Sequence, residues 1–142
     1  WHEGSARCIN EKGFFGTAMD APEINIKTAA LVRSLYPHMK IIARARNRQH
    51  VHRLVDLDAS PVRETFYSSL EMSRRTLVGL GLSQAQADAR IDRFKNHDHQ
   101  LLAAQHAVYD DAAKVLQSAQ EARTELARLF EMDRLQEESD KV

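Results

Sequence analysis

Three arginines are the residues whose type and spacing predict chemistry in this sequence. In KIIARARNR, strand alternation places Arg44 and Arg46 on one side and near the carboxyl end of an apolar segment. Arg63 ends a second short apolar segment, SPVRE. Parallel strands present their carboxyl ends at one edge of a sheet, where ligands bind. Guanidinium groups bind carboxylates and phosphates through paired N–H donors, so these residues predict an anion site.

A second interpretation leaves the same arginines as solvated charges at strand ends. Structural ion pairs commonly produce such clusters. The acids placed to pair with them in that case are Asp56, Asp58 and Glu64.

Metal and nucleophilic chemistry find little support in the sequence. Seven histidines occur, but HVH (50–52) and HDH (97–99) have an i, i+2 spacing that splits side chains between helix faces. The single cysteine, Cys8, cannot form an intrachain disulfide, and no second cysteine accompanies it as a metal ligand. No serine has the flanking glycines of a nucleophile elbow. We therefore predict neither a metal site nor an enzyme.

The elements that position the arginines alternate between strand and helix signals. Apolar runs at 14–19, 40–45 and 60–64 predict three strands, the last with Pro61 at an edge position. Between the first two, Asp20 predicts an N-cap, with Pro22 in the first turn and Glu23 completing a capping box. Residues 49–58 predict a second helix. Such alternation is typical of an α/β fold with a parallel sheet, here only half of a doubly wound one.

Beyond Gly81 the sequence contains neither glycine nor proline and predicts helix. Ten of twelve positions at 3–4 spacing are apolar, and the polar exceptions are Asp98 and Gln105. This heptad pattern favours one long helix that pairs with a second chain, the two polar residues fixing register. Folding back as two helices is the alternative. The twelve positions are Ile91, Phe94, Asp98, Leu101, Gln105, Val108, Ala112, Val115, Ala119, Ala122, Leu126 and Leu129.

The composition excludes several function classes. Twenty basic residues balance twenty acidic ones, so no overall charge attracts nucleic acid or an anionic membrane. The longest stretch without a charged residue, 76–87, is shorter than the roughly 20 apolar residues of a membrane helix. WHEGSARCINEKG lacks the pattern of a signal peptide and an initiator methionine, so we expect a fragment whose first 13 residues are unplaced.

Five motifs in order resemble one known family. AMD-x-PE-x-N, PH-x-KIIARAR, RETF-x-SSLEM, GLGL and a later RF pair cover roughly residues 14–97. They are similar to the cytosolic RCK, or TrkA-N-like, regulatory domain of Kef-type potassium/proton antiporters. The resemblance implies a Rossmann-like fold, here its C-terminal half at 14–66, then a helical regulatory and dimerisation region at 67–138 and a tail at 139–142.

The resemblance also implies ligands and partners. In this family an adenine nucleotide, NAD or an AMP type, binds the sheet, and the turn at Ala18, Met19 and Asp20 lies near the adenosine. Glutathione holds the transporter shut and its electrophile adducts open it, with Arg63 contacting the tripeptide carboxylates and Arg44 and Arg46 nearby.

Asp98 stands where the glutathione-binding relatives carry asparagine, and an acid repels carboxylates. The glycine-rich phosphate loop, G-x-G-x-x-G, does not occur in the sequence.

The expected setting is the cytoplasmic face of the bacterial inner membrane. The expected partners are a transmembrane antiporter domain of the same chain, a second copy in a homodimer and an ancillary quinone-oxidoreductase-like regulator, with no nucleic acid. The alternatives are a nucleotide-dependent oxidoreductase fragment, a stand-alone TrkA-like regulator of potassium uptake, and a purely structural coiled coil.

Overall fold

The computed structural model describes residues 7–9 and 13–141, and the chain divides into two compact units that meet in sequence at Ser68 and Ser69. Most of the start that we expected to be unplaced and truncated, namely residues 1–6 and 10–12, lies outside the described residues. A three-residue strand, β1 (Arg7–Ile9), was missed by the sequence prediction. It contains Cys8 and pairs antiparallel with the next strand.

The first unit is built on three parallel strands, as predicted. They are β2 (Phe14–Thr17), β3 (Lys40–Arg44) and β4 (Ala59–Val62), in the order β1-β2-β3-β4. Pro61 therefore lies on an edge strand, where a missing N–H is tolerated. The α/β class is confirmed.

Two helices connect these strands, α1 (Pro22–Leu35) and α2 (Arg48–Asp56). Alternate strand residues such as Phe15, Ile41 and Ala43 are buried with apolar residues of the helices, among them Ala29, Val32, Val51 and Leu54. Their neighbours in the strands point the other way, and Ile42 and Val62 are each 43% exposed. Among the described residues of this unit, the sheet therefore presents one covered and one open apolar face.

The predicted N-cap of α1 is wrong. The cap is Ala21, which makes no side-chain capping bond, although Pro22 does begin the helix as expected. Asp20 and Glu23 are instead engaged by guanidinium groups of Arg44 and Arg53. The two carboxylates that the predicted capping box would use are thus paired with arginines instead.

After β4 the described chain is mainly helical. It forms three helices, α3 (Glu64–Gly79), α4 (Gln84–His106) and α5 (Ala112–Ser139). Ser83 caps α4, and Gln86 completes a capping box. The preference for one continuous helix is wrong, because residues 107–111 form a turn and Asp111 caps α5.

The helices α4 and α5 form an antiparallel hairpin. Arg90 near the start of α4 pairs with Glu137 near the end of α5 at 3.0 Å, and Arg93 pairs with Asp133 at 2.6 Å. At the turn, Gln105 donates to Ser118 Oγ at 2.8 Å and to the Val115 carbonyl at 3.3 Å. Gln105 thus fixes the register of this hairpin within the chain, where the sequence predicted a contact with a second chain.

Candidate functional site

The carboxyl ends of the three parallel strands form one edge of the first unit. β2 ends at Thr17, β3 at Arg44 and β4 at Val62. The backbone N–H of Ala45 donates to the Val62 carbonyl at 2.9 Å, so the ends of β3 and β4 remain joined beyond the ladder. Every residue predicted for nucleotide binding and all three arginines lie within a few positions of these ends.

A fully buried amide, Asn25 on α1, fixes the turn after β2. Its Oδ1 accepts from Thr17 Oγ1 at 2.8 Å and from the Met19 N–H at 3.1 Å. Its Nδ2 donates to the Met19 carbonyl at 2.8 Å and to the Arg44 carbonyl at 3.3 Å. One side chain thus uses both donors and both acceptor positions to tie β2, its turn and β3 together.

The turn itself, Ala18–Met19–Asp20, presents its members differently. Met19 is buried and contributes only its backbone to the Asn25 bonds, while Ala18 and Asp20 are exposed. The sequence singled out the turn but not Asn25. The asparagine was nevertheless visible as the last residue of the AMD-x-PE-x-N motif.

Arg44, the last residue of β3, and Arg46, two residues further on, both contact Asp20. Arg44 Nη1 lies 2.9 Å from Asp20 Oδ1, and Arg46 Nη1 donates to the Asp20 carbonyl at 2.9 Å. Arg44 Nε also pairs with Glu64 Oε2 at 2.7 Å. The alternative interpretation is therefore correct for one pair, since Glu64 was among the acids expected to neutralise these arginines.

Arg63 is the residue that joins β4 to α3, and its guanidinium stacks on an aromatic ring. Its Cζ lies 3.9 Å from the centroid of Phe66, one helical turn along the chain. A guanidinium stacked in this way contacts the ring with its face, while its N–H bonds point outward in its own plane. That orientation suits bidentate recognition of a carboxylate.

The fourth residue predicted for the anion site, Asp98, belongs to the second unit. Its side chain is buried on α4, with only 8% of the residue exposed.

His50 accepts a hydrogen bond from the loop that carries Arg46, a role that the sequence analysis did not predict. Its Nδ1 accepts from the Arg46 N–H at 3.1 Å, and its own N–H donates to Asn47, the N-cap of α2. Burial lowers the pKa of His50 and nearby Arg53 lowers it further, whereas Glu23 acts in the opposite direction. The imidazole is therefore neutral with its proton on Nε2, which is buried without a hydrogen-bond partner among the described residues.

A pocket of about 390 Å³ opens beside this edge, on the sheet face that α1 and α2 leave open. Gly16, Ile42 and Val62 form an apolar floor, and Arg44 with Glu64 supplies charge at the side. A Cβ atom added at Gly16 would meet no atom within 4 Å. An apolar floor of this kind suits a planar ring of a ligand, and the neighbouring arginines suit an anionic substituent on it.

Within residues 7–9 and 13–141, no group of three or more histidine, cysteine, aspartate or glutamate side chains is placed to hold a metal ion. A search of the same residues finds no helix with the length and apolar character needed to cross a membrane.

Parallel strands in βαβ order, with arginines at their carboxyl edge, define a Rossmann-like α/β domain, which a separate helical unit follows in the chain. Residues 8–63 match the TrkA-N domain family. Residues 68–142 match the family described as the potassium efflux system KefB C-terminal domain. The chain belongs to this family of Kef regulatory domains.

A solved structure agrees with this assignment. The Shewanella denitrificans Kef CTD in AMP bound form is similar at 33% sequence identity with a TM-score of 0.65. The similarity covers 68% of this chain and 61% of the solved one, so this chain spans about three fifths of that protein's length.

Proposed function

We propose that this chain is the ligand-sensing part of a regulatory domain that controls potassium efflux by a potassium/proton antiporter. An AMP-type nucleotide and an anion such as glutathione or its adducts bind at the carboxyl edge and bias an attached transmembrane antiporter domain. The observation that carries the proposal is the convergence of Arg44 and Arg46 on Asp20 beside an apolar pocket. The AMP in the similar Kef structure supports the choice of nucleotide.

The nucleotide is expected to lie with its adenine ring over Gly16, Ile42 and Val62. The pocket of about 390 Å³ lies at the lower end of the roughly 300–1,000 Å³ typical of ligand sites, which favours a mononucleotide over NAD. The ribose would then meet the Ala18–Asp20 turn that Asn25 fixes. These residues fit the adenosine part, whereas the sequence contains no glycine-rich loop for a pyrophosphate.

The anion is expected to bind at Arg63, which directly follows β4 at the carboxyl edge. Arg44 already faces Asp20 and Glu64, so a carboxylate must compete with both acids for that guanidinium. Arg63 stacks on Phe66 and directs its donors in its own plane. Arg46 completes the proposed set within the first unit.

The same proposal places the chain at the cytoplasmic face of the bacterial inner membrane. It acts there as a homodimeric, non-enzymatic regulator with a quinone-oxidoreductase-like protein as an ancillary partner. The match to a Kef C-terminal domain supports the attachment to an antiporter.

Calorimetric titration of the 142-residue chain with AMP tests the nucleotide site. Gly16→Leu fills the pocket floor and should weaken AMP binding by about tenfold or more, a loss of about 1.4 kcal/mol. Gly79→Leu is the matched control, because an added Cβ atom there also meets no atom within 4 Å and Gly79 lies outside the pocket. Equal AMP affinities of wild type and Gly16→Leu would contradict the nucleotide placement.

Titration with glutathione tests the anion site separately. Arg63→Ala should weaken glutathione binding by about tenfold to a hundredfold, the range expected for a hydrogen bond to a charged group. Arg53→Ala removes an arginine of the same unit that pairs with Glu23 and is not among the residues proposed for the anion site, and it should leave glutathione binding unchanged. If Arg63→Ala binds glutathione as well as wild type does, Arg63 is not the anion site.

A further inference from the structure

His50 connects the first turn of α2 to the loop that carries Arg46. The Arg46 N–H donates to Nδ1 of the imidazole at 3.1 Å. The backbone N–H of His50 donates to Asn47 Oδ1 at 2.8 Å, so the imidazole belongs to the capped end of the helix. The loop at residues 45–47 is thus bonded to a side chain whose type titrates near neutral pH.

The imidazole accepts this bond only in its neutral form. Nδ1 has a free lone pair when the proton is on Nε2, whereas both nitrogens of a protonated imidazole are donors. Protonation would therefore set two N–H groups against each other across 3.1 Å. The Arg46 N–H would lose its acceptor, and the two donors would repel each other.

The immediate surroundings of His50 favour the neutral form. Only 2% of the residue is exposed, and Nε2 has no hydrogen-bond partner among the described residues. Burial lowers the pKa of the imidazole and Arg53 lowers it further, while Glu23 raises it. Because Glu23 already pairs with Arg53, its carboxylate is a weak counter-charge for His50. A proton on His50 therefore adds charge to a buried position that is poorly equipped to receive it.

The charged groups of the neighbouring elements add a surplus of positive charge. The helix α2 contacts α1 and β4, and β4 carries no titratable side chain. Among the groups of the other elements, bases outnumber acids, so a positive imidazole meets mainly like charge. The groups are Glu23, Lys27 and Arg33 on α1, Arg48, His52, Arg53 and Asp56 on α2, Lys40 and Arg44 on β3, Arg46 in the loop, and Asp20 in the turn after β2.

The loop that His50 contacts also reaches the proposed ligand site. Arg46 Nη1 donates to the Asp20 carbonyl at 2.9 Å. The Ala45 N–H, one residue earlier in the chain, donates to the Val62 carbonyl at 2.9 Å and joins the end of β3 to β4. A displacement of the Arg46 backbone therefore moves a guanidinium group at the carboxyl edge of the sheet.

We propose that His50 is a proton sensor for the carboxyl edge: protonation of Nδ1 breaks its bond to the Arg46 N–H, withdraws the Arg46 guanidinium from the Asp20 turn and weakens ligand binding there. His50 acts through Arg46 and is a positioning residue, not a ligand contact. The inference rests on the proposed function, in which this edge binds AMP and an anion. Proton entry through the attached antiporter would then lower ligand occupancy at its own regulatory domain.

NMR on the ligand-free 142-residue chain tests the sensor itself. Long-range proton–nitrogen spectra of the imidazole report its tautomer and its titration midpoint, and the Arg46 backbone amide reports the hydrogen bond. We expect the Nε2–H tautomer at neutral pH, a midpoint below the ordinary value of about 6.5, and an Arg46 amide shift with the same midpoint. An Arg46 amide that does not respond at that midpoint, or a chain that unfolds before His50 titrates, would overturn the proposal.

Calorimetric titration with AMP, one pH unit above and one below that midpoint, tests the effect on binding. The AMP phosphate itself titrates at about pH 6, but it does so equally for every variant. Wild type should lose about tenfold more affinity across this range than His50→Asn, whose amide oxygen can accept from Arg46 without titrating. His38→Asn, at an exposed histidine, is the matched control and should behave as wild type does. Equal losses in wild type and His50→Asn would refute the sensor.

Arg46→Ala tests the route from His50 to the ligand. It keeps the backbone N–H and the imidazole, so His50 should titrate as in wild type, while AMP binds more weakly and loses only as much affinity with pH as it does in His50→Asn. A larger loss in Arg46→Ala would contradict transmission through the Arg46 side chain. Failure of the NMR test concerns His50 alone. Absence of AMP binding to every variant at every pH would instead refute the proposed function, and with it the effect on binding.

Discussion

Replacement of Asn25 by aspartate changes one amide group into a carboxylate at the most constrained point of the sheet edge. Aspartate keeps the oxygen that accepts from Thr17 and Met19. It replaces the Nδ2 donor with an oxygen that faces the carbonyl oxygens of Met19 and Arg44. The variant therefore tests whether the turn depends on that donor.

The expected cost of Asn25→Asp follows from the bonds that are lost. Two buried carbonyl groups lose their donor, at about 1–3 kcal/mol each, although the Arg44 bond at 3.3 Å is the weaker one. The new carboxylate is fully buried and faces two carbonyl dipoles, so its pKa in the folded state must rise above the unfolded value of about 3.9. Together these effects predict a loss of about 3–5 kcal/mol at pH 7.5.

The sign of the pH dependence distinguishes this explanation from a general packing defect. Below about pH 4 the acid is protonated in both states and its O–H can donate to one carbonyl, so the loss should shrink to about 1–2 kcal/mol. As the pH rises from there through the raised folded pKa, the unfolded state releases its proton first and the variant loses stability. The change should therefore be largest in neutral and alkaline solution.

Urea unfolding followed by far-ultraviolet circular dichroism measures the free energy of unfolding across this pH range. Asn47→Asp is the matched control, because Asn47 is an exposed N-cap, a position at which aspartate and asparagine perform equally well. If Asn25→Asp costs no more than Asn47→Asp at pH 7.5, or if its cost does not change with pH, the hydrogen-bond argument is refuted.

Three further predictions concern other parts of the molecule. Because burial lowers the pKa of His50, the unfolded state takes up its proton first, so stability should fall as the pH drops below about 6.5. His50→Asn should reduce this dependence in urea titrations, and His38→Asn, at an exposed histidine, should not. Hydrogen bonds from two arginines lower the pKa of Glu71 to about 2, so its carboxylate should titrate well below the ordinary range of a glutamate when followed by NMR. Gln105→Ala should destabilise the hairpin by about 1–2 kcal/mol in thermal unfolding, whereas Gln100→Ala should cost less than about 0.5 kcal/mol.

The parallel strands were predictable because their signals are local. Apolar runs at β2 and β3, with Pro22 and Pro37 around the intervening helix, fix the element type from a few neighbouring residues. The cap of α1 was not predictable in the same way. Asp20 has good local capping chemistry, but Arg44 lies 24 residues away in sequence and engages its carboxylate. A partner of that separation is known only once the strands are paired.

The break between α4 and α5 shows a different limit of pattern analysis. The 3–4 apolar spacing continues through the turn, so periodicity alone predicts one helix. The stop is marked instead by Asp111, whose side chain accepts from the N–H groups of Ala113 and Lys114. An aspartate before an alanine-rich segment was a visible N-cap signal, yet it carries about 1 kcal/mol and is easily outweighed by a long hydrophobic pattern.

At the candidate site, the residue types indicated the chemistry, but the sequence did not show which residues contact one another. The alternation predicted Arg44 and Arg46 on one side at the carboxyl end of one strand, and both contact Asp20, a partner that the spacing did not reveal. The buried residues that position them, Asn25 and His50, bond mainly to backbone groups. Backbone partners leave no trace in side-chain patterns, so such positioning residues become visible only in the folded chain.

The ion pairs of Arg44 place a physical requirement on any anion that acts through this edge. Arg44 connects the turn after β2, through Asp20, with Glu64, the first residue of α3. A ligand carboxylate or phosphate at Arg44 must therefore weaken one of these two contacts, and the contact with Glu64 reports on the start of α3. A ligand shifts an equilibrium only by the difference between its affinities for two states. The Arg44–Glu64 contact can therefore differ between two such states, with Glu64 bound to Arg44 in one and the ligand bound to Arg44 in the other.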